Sequence, residues 1–269
     1  MSLSRIAQTA LLTAAARALE SRRPDALFVD RWAERLAGDA GRAMLERTGS
    51  PRPTLALAVR TRYFDDVALG AFAAGVHTAA SLACGFDMRP ARLAAPAVRW
   101  FDVDTAETLA HKRKTLGSDD AAAKSRAVAV DITGDFAAPL VAAGFEPSAP
   151  ALLLAEGLVM YLPPEDALRF IERVGALMAT GSVFAFDVPS PSALDRAGTM
   201  ARHNEELARA GAAWRFATAH PAELFDAQTF DVDVVHIGHP RAHFGRLSEP
   251  PCEAPTDGAV TWLVTARRR

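Results

Sequence analysis

Residues 75–89 read GVHTAASLACGFDMR, a short apolar run that ends in Cys84-Gly85 and passes at once into a segment able to open as a helix. A strand, a glycine turn and a helix in that order is how a nucleotide site begins. Glycine lets the backbone approach a ligand, and the free N–H groups of the next helix point at negative charge. One glycine stands here where a dinucleotide fingerprint has three, so the stretch alone also suits a sharp turn between core elements. Its neighbours decide between the two.

Downstream the chain alternates. VRWFDV (98–103) is followed by the helical TAETLAHKRKTL (105–116), RAVAVDI (126–132) by the helical DFAAPLVAAG (135–144), and ALLLAEGL (151–158) by a helix from Pro164 to about Met178 and the strand SVFAFDV (182–188). Strands separated by helices require right-handed crossovers and a parallel sheet covered on both faces, which predicts a doubly wound, Rossmann-like α/β domain. FDVDVVHIG (230–238) and AVTWLVTA (259–266) read as two further strands, an antiparallel pair closing one edge of the sheet.

Upstream, residues 2–72 read as helical. Ile6, Leu11, Leu12, Ala15 and Leu19 share a face, Pro24 ends that helix, and Trp32 and Leu36 mark a short second one. After Pro51 and Pro53 a longer helix has Leu55, Val59, Phe64 and Val67 as its buried side. Its Arg60, Arg62, Asp65 and Asp66 read as a solvated, self-paired face. Residues 190–228 break the alternation with two expected helices and the cluster GAAWRFATAHPAELF (211–225). The expectation is one domain over 1–269: an N-terminal helical region (1–72), a ligand-binding core (76–189), a small helical cap (190–228) and C-terminal strands (229–269).

With 269 residues, half of them hydrophobic, the chain can bury one large core. A net charge of -2 and a pI near 6.4 give no electrostatic footprint for nucleic acid or an anionic membrane, so the expected partner is a small molecule, bound by a monomer or homodimer. Two cysteines, Cys84 and Cys252, are too few for a disulfide framework and imply a reducing cytoplasm. The N-terminus lacks a continuous apolar core of the signal-peptide kind, and no window reaches the ~18 apolar residues of a membrane span. No metal is expected, because the histidines and cysteines show neither H-x-x-x-H nor C-x-x-C spacing.

Ligands of open parallel sheets sit beyond the carboxyl ends of the strands. Those ends carry Gly85, Asp104, Asp131 and Glu156. Asp104 follows Gly85 by 19 positions, close to the ~20 at which a carboxylate accepts hydrogen bonds from the ribose of an adenosine cofactor. That spacing admits a nicotinamide dinucleotide or S-adenosylmethionine. A third acidic strand end favours the latter, since Asp131 with the amide of Ile132 can read adenine, and a methionine carboxylate needs only one glycine turn and a basic side chain, whereas a pyrophosphate demands the fuller glycine fingerprint. Each carboxylate taken singly also suits a helix N-cap.

RRPDALFVD (22–30), VRTRYFDD (59–66), SLACGFDMRPARL (81–93), FDVDTAETLAHKRKTL (101–116), VAVDI (128–132) and LLAEGLVMYLPPEDA (153–167) together resemble the leucine carboxyl methyltransferase family, in its bacterial branch of S-adenosylmethionine-dependent and polyketide-tailoring O-methyltransferases. The resemblance covers most of residues 1–190 and implies a class I methyltransferase sheet. It makes Arg60 the partner of the methionine carboxylate, Gly85 the cofactor turn, Asp104 the ribose ligand, Asp131 and Ile132 the adenine contacts, Glu156 a wall near the reacting methyl, and Tyr161 a residue of the substrate side. The family's first-strand motif often reads L-G-A-G-x-D-T-R, where this chain has Leu82-Ala83-Cys84-Gly85 and Met88.

Methyl transfer from a sulfonium needs chiefly proximity and alignment. A carboxylate acceptor is already ionised and needs a cation to orient it; a phenol or alcohol needs a base. His203 and His220 are the candidate bases and Arg202 and Arg215 the candidate anchors, with Trp214 and Phe216 able to line an apolar pocket. Two other classes share part of the pattern. A nicotinamide oxidoreductase would use Gly85 and Asp104, but Tyr161 is followed four residues later by Glu165 and not by lysine; a non-catalytic adenosyl-binding protein would keep the sheet without the chemistry.

Overall fold

The computed structural model describes residues 4–47, 51–93, 95, 97–195, 205, 207–209, 211–255 and 258–269. Helix α1 (Arg5–Ser21) opens on Ser4, whose hydroxyl accepts from the Ala7 amide at 3.2 Å. α2 (Ala33–Arg47) is longer than the sequence reading allowed and is kinked at Gly38, whose backbone leaves the helical region. α3 (Pro51–Ala73) starts on proline, whose missing N–H costs nothing in a first turn. It packs Tyr63, Phe64, Ala68 and Ala71 onto one face of the sheet, against Trp100, Leu152, Leu154 and Leu263.

The strands are β1 (Thr78–Leu82), β2 (Arg99–Asp104), β3 (Arg126–Ala129), β4 (Leu152–Ala155), β5 (Val183–Pro189), β6 (Phe230–His236) and β7 (Thr261–Arg268). Between them lie the single turn α4 (Arg89–Arg92), α5 (Ala106–Leu116), α6 (Ala137–Ala142) and α7 (Pro164–Ala176). α5 is capped by Thr105, carries Glu107 in its first turn and stops at Gly117, where φ is +61°. α7 buries Ala167, Phe170, Ile171 and Val174, the i, i+3, i+4, i+7 stripe of a helix lying on a core.

One seven-stranded sheet results, in the order β3-β2-β1-β4-β5-β7-β6. β1 pairs in parallel with both β2 and β4, so the winding reverses between β1 and β4 and opens a crevice at their carboxyl ends. β1 and β4 are buried throughout because helices cover both faces. The second face carries an aromatic core in which Phe184 and Phe186 stack at 4.8 Å and Phe136 meets Phe170 at 5.5 Å. A third cluster, with Leu11, Trp32, Leu36, Phe86 and Met88, seats α1 and α2 beside the first-strand turn.

The doubly wound sheet, its parallel core and the N-terminal helices follow the sequence reading. The C-terminal pair is antiparallel as expected, but β7 lies inside, between β5 and β6, and β6 forms the edge. Of the segment 190–228, where two helices are expected, residues 196–204, 206 and 210 lie outside the described residues; residues 205 and 207–209 are helical, Pro191–Leu194 and Pro221–Leu224 form 3-10 turns, and 212–218 is irregular backbone. The α3 charges are also corrected: only Arg62 and Asp66 form a solvated pair, while Asp65 is 3% exposed and Arg60 is turned into the protein. Among the described residues no helix is long and apolar enough to cross a membrane.

Candidate functional site

Beyond the carboxyl ends of β1, β2, β3 and β4 lies a cavity of about 400 Å³, a size at which small ligands are enclosed. The β1 turn forms its floor. Ala83 and Gly85 both take positive φ, +53° and +50°, which swings the backbone away from the strand, and the space at Gly85 is tight: a Cβ there would stand 3.2 Å from that of Ala10. The Gly85 amide donates to Asp104 Oδ2 at 2.8 Å, and Asp104 Oδ1 accepts from the Thr105 amide at 2.7 Å. β3 ends at Ala129, so Asp131 stands two residues beyond it, its Oδ1 accepting from the amide and hydroxyl of Thr133. Ile132 beside it is buried.

Glu156 follows β4 directly. Its Oε1 accepts from Arg60 Nε at 3.0 Å and from the Thr61 hydroxyl at 3.2 Å, and its Oε2 pairs with Arg89 Nη2 at 2.7 Å. Arg60 reaches further, to Asp187 on β5, with Nη1 2.9 Å from Oδ2; Asp187 Oδ1 accepts from the Gly157 amide at 2.6 Å. Arg89, at the start of α4, is shared among Glu156, Asp87 and Asp65, and Arg92 closes onto Asp65. The guanidiniums are thus fixed by α3 and α4, and the carboxylates by α3 (Asp65), the tips of β4 and β5 and the β1 turn.

Burial opposes ionisation of Glu156, but Arg89 and Arg60 outweigh it and hold the carboxyl below the usual range. Burial likewise opposes Asp87, and Arg89 and Lys112 hold it well below its ordinary value. At Asp187 burial wins: Arg60 and the Gly157 amide offset it only in part, and the carboxyl is pushed up. Burial also raises the Tyr161 phenol against hydrogen bonds with Trp214 and Thr9, so it remains a neutral group. The Cys84 thiol is pushed well up by burial, which leaves it unreactive.

Arg60, Gly85, Asp104, Asp131, Ile132, Glu156, Tyr161 and Trp214 all line this one cavity. Arg215 and His220 do not; both are exposed. Arg202 and His203 lie outside the described residues. Sequence reasoning missed Asp87, Arg89 and Asp187. The rule that found Glu156 at a strand tip applies equally to β5, where Asp187 stands in SVFAFDV. Leu12, Leu45, Pro53, Leu57 and Leu207 also line the cavity and give its wall an apolar part beside the charged groups. Among the described residues no cluster of His, Cys, Asp and Glu could hold a metal ion.

A sequence profile described as leucine carboxyl methyltransferase matches residues 10–175. A protein of Parafrankia sp. (strain EAN1pec), named "Putative S-adenosyl-L-methionine-dependent methyltransferase", is 41% identical over 194 residues, which cover 68% of this chain and 63% of that protein. A protein of the same name from Mycobacterium marinum (strain ATCC BAA-535 / M) is 33% identical over 285 residues, covering 98% of this chain and 82% of its own. Among solved structures, "a putative methyltransferase from Thermobifida fusca YX" superposes with a TM-score of 0.61 over 94% of each chain at 18% identity, a likeness of fold alone.

Proposed function

The chain belongs to the leucine carboxyl methyltransferase family, and from that premise we propose that it is an S-adenosylmethionine-dependent O-methyltransferase acting on the carboxylate or hydroxyl of a small molecule, of the kind a polyketide or other secondary metabolite presents. The observation that carries the reading is the convergence of four strand tips and Arg60 on one cavity.

The residues fit the cofactor. Asp104 stands at the tip of β2 with lone pairs to spare after its two amide bonds, as a ribose partner must. The positive-φ turn at Gly85 exposes backbone to the cavity, the close approach a glycine turn gives a ligand. Arg60 spends Nε and Nη1 on Glu156 and Asp187, which leaves its Nη2 edge for a carboxylate. Asp131 and Ile132, on the wall of the same cavity, would supply the adenine contacts. S-adenosylmethionine, when bound, supplies an already activated methyl group on a sulfonium.

What remains for the protein is placement. Arg60, held from two sides by carboxylates, fixes one end of the ligand without moving. The apolar part of the cavity wall, with Leu12, Leu57 and Leu207, orients an acceptor and sheds its water, and Tyr161 offers a neutral O–H to its reacting end.

The test is direct. Saturating S-adenosylhomocysteine, at about 100 times its Kd, should stabilise the protein by ~2.7 kcal/mol, or roughly 5–10 °C in Tm, whereas NAD should not. Mass spectrometry of a panel of aromatic acids and phenols incubated with labelled methyl donor then identifies the acceptor class. Stabilisation by NAD alone, or by neither ligand, overturns the proposal.

A further inference from the structure

The ion pairs at the cavity form one connected set. Arg60 joins Glu156 to Asp187, Arg89 joins Glu156 to Asp87 and Asp65, and Arg92 ends on Asp65. Four carboxylates therefore share three guanidiniums, while Lys112, which also bears on Asp87, is balanced by its own partner Asp102 at 2.6 Å; no side chain of the four carboxylates and three guanidiniums is more than 17% exposed. A buried charge without a counter-ion is strongly disfavoured, so a set with one negative charge in excess is incomplete as it stands. The excess falls at Asp187. Glu156 and Asp65 each face two guanidiniums and Asp87 has Arg89 with the Lys112 charge nearby, whereas Asp187 has only Arg60, whose Nε is already engaged, and its side chain is fully buried. The raised affinity of Asp187 for a proton agrees with this.

We propose that this charge excess, centred on Asp187, makes the site select the cationic sulfonium form of the cofactor over its neutral thioether product; the proposal rests on the reading of the chain as an S-adenosylmethionine-dependent enzyme. That cofactor carries an ammonium, a sulfonium and a carboxylate. Added to the network, it brings five negative charges against five positive ones. In the transfer the methyl carbon–sulfur bond breaks with its electron pair remaining on sulfur, and a bond forms from the acceptor oxygen to the methyl carbon. An ionised carboxylate acceptor has no proton to lose, and a hydroxyl acceptor gives its proton to water. The sulfur is then neutral, and one carboxylate is again without a countercharge. Donor is held and product is released by the same imbalance. Because the attraction fades as the methyl group moves, it acts on ligand binding and exchange and does not lower the chemical barrier.

The experiment is calorimetry on the full chain with two non-reacting ligands that differ in charge: S-adenosylhomocysteine, the neutral thioether, and sinefungin, in which an amine cationic at pH 7 takes the place of the sulfonium. Wild-type protein should bind sinefungin about tenfold more tightly, the size expected of one unit charge acting across about 10 Å of protein. Asp187→Asn should bring the two affinities together, chiefly by weakening sinefungin. Equal affinities in the wild type would overturn the proposal. So would an Asp187→Asn protein that loses both ligands by the same factor, because that is what a purely structural Asp187 would do. If Asp187→Asn does not fold, as circular dichroism would show, the wild-type ratio alone decides. A wild-type protein that binds neither ligand overturns the methyltransferase reading, and this proposal with it.

Discussion

Ala83 holds φ at +53° in the turn that floors the cavity, a conformation in which its β-carbon crowds the backbone. The family motif has glycine among these positions, and the geometry gives the reason: the chain must leave β1 through the left-handed region twice, at 83 and at 85. Ala83→Gly should therefore stabilise the protein by about 0.5–1 kcal/mol, read as a higher urea midpoint at unchanged slope. Gly157 makes the opposite case. Its φ is +67°, and a Cβ would stand 3.1 Å from both Nη1 and Nη2 of Arg60. That guanidinium is pinned between Glu156 and Asp187 and has nowhere to swing. Gly157→Ala should cost roughly 1–3 kcal/mol and weaken S-adenosylhomocysteine binding, whereas Gly75→Ala, with a positive φ but open space around it, should cost stability and leave binding unchanged.

At the scale of elements, the cavity depends on how α1 is held. Arg246, in the link between β6 and β7, reaches across to the end of α1 and places Nε and Nη2 3.0 and 2.8 Å from Glu20 Oε1 and Nη1 3.0 Å from Asp25. Glu20 is 2% exposed and also accepts from the Leu27 amide. Arg246→Ala would leave that carboxylate with only Arg23, 3.7 Å away, and the Leu27 amide, at a cost of roughly 1–3 kcal/mol. Since Ala7, Ala10 and Leu12 of α1 line the cavity, ligand affinity should fall with it; denaturation curves with and without S-adenosylhomocysteine test both. Nothing in the sequence announces this pair, because its members are 226 positions apart. Strands and their acidic tips were legible for the opposite reason: an apolar run ending in Gly85, Asp104 or Glu156 is a local pattern, and topology alone brings such ends together. The segment 211–219 gave no element in the sequence, because alanine favours helix while no apolar stripe is present to anchor one. There the backbone takes partners elsewhere, with Arg215 and Phe216 donating to the Met160 carbonyl and Thr218 to that of Pro189. Tertiary hydrogen bonds of that kind are invisible to propensity.

For the molecule as a whole, the buried titratable groups set how stability varies with pH. His236 and His243 are each 4% exposed, and burial pushes both imidazoles below their ordinary 6.5. The folded chain resists the proton that the unfolded chain accepts, so their contribution is present above pH 6.5 and is lost as pH falls through the lowered folded values. Glu156 and Asp87 have the same sign lower on the scale: their carboxyls are held down in the fold, and the stability they confer is present above the ordinary 4.5 and 3.8 and disappears on further acidification. Asp187 has the opposite sign. Its raised value means its contribution is complete below 3.8 and is lost as pH rises through the folded value, so at neutral pH the ionised form is a standing cost. Three consequences combine in one titration. Unfolding free energy, measured by urea at a series of pH values, should be level near pH 7–8, decline once below 6.5 and decline again below about 4.5. His236→Gln should remove part of the first decline and leave the second in place. Asp187→Asn should make the decline on acidification steeper, because it removes a buried carboxyl that gains from protonation. A free energy that instead rises on acidification from pH 7 to 5 would mean that these imidazoles are not held neutral by burial.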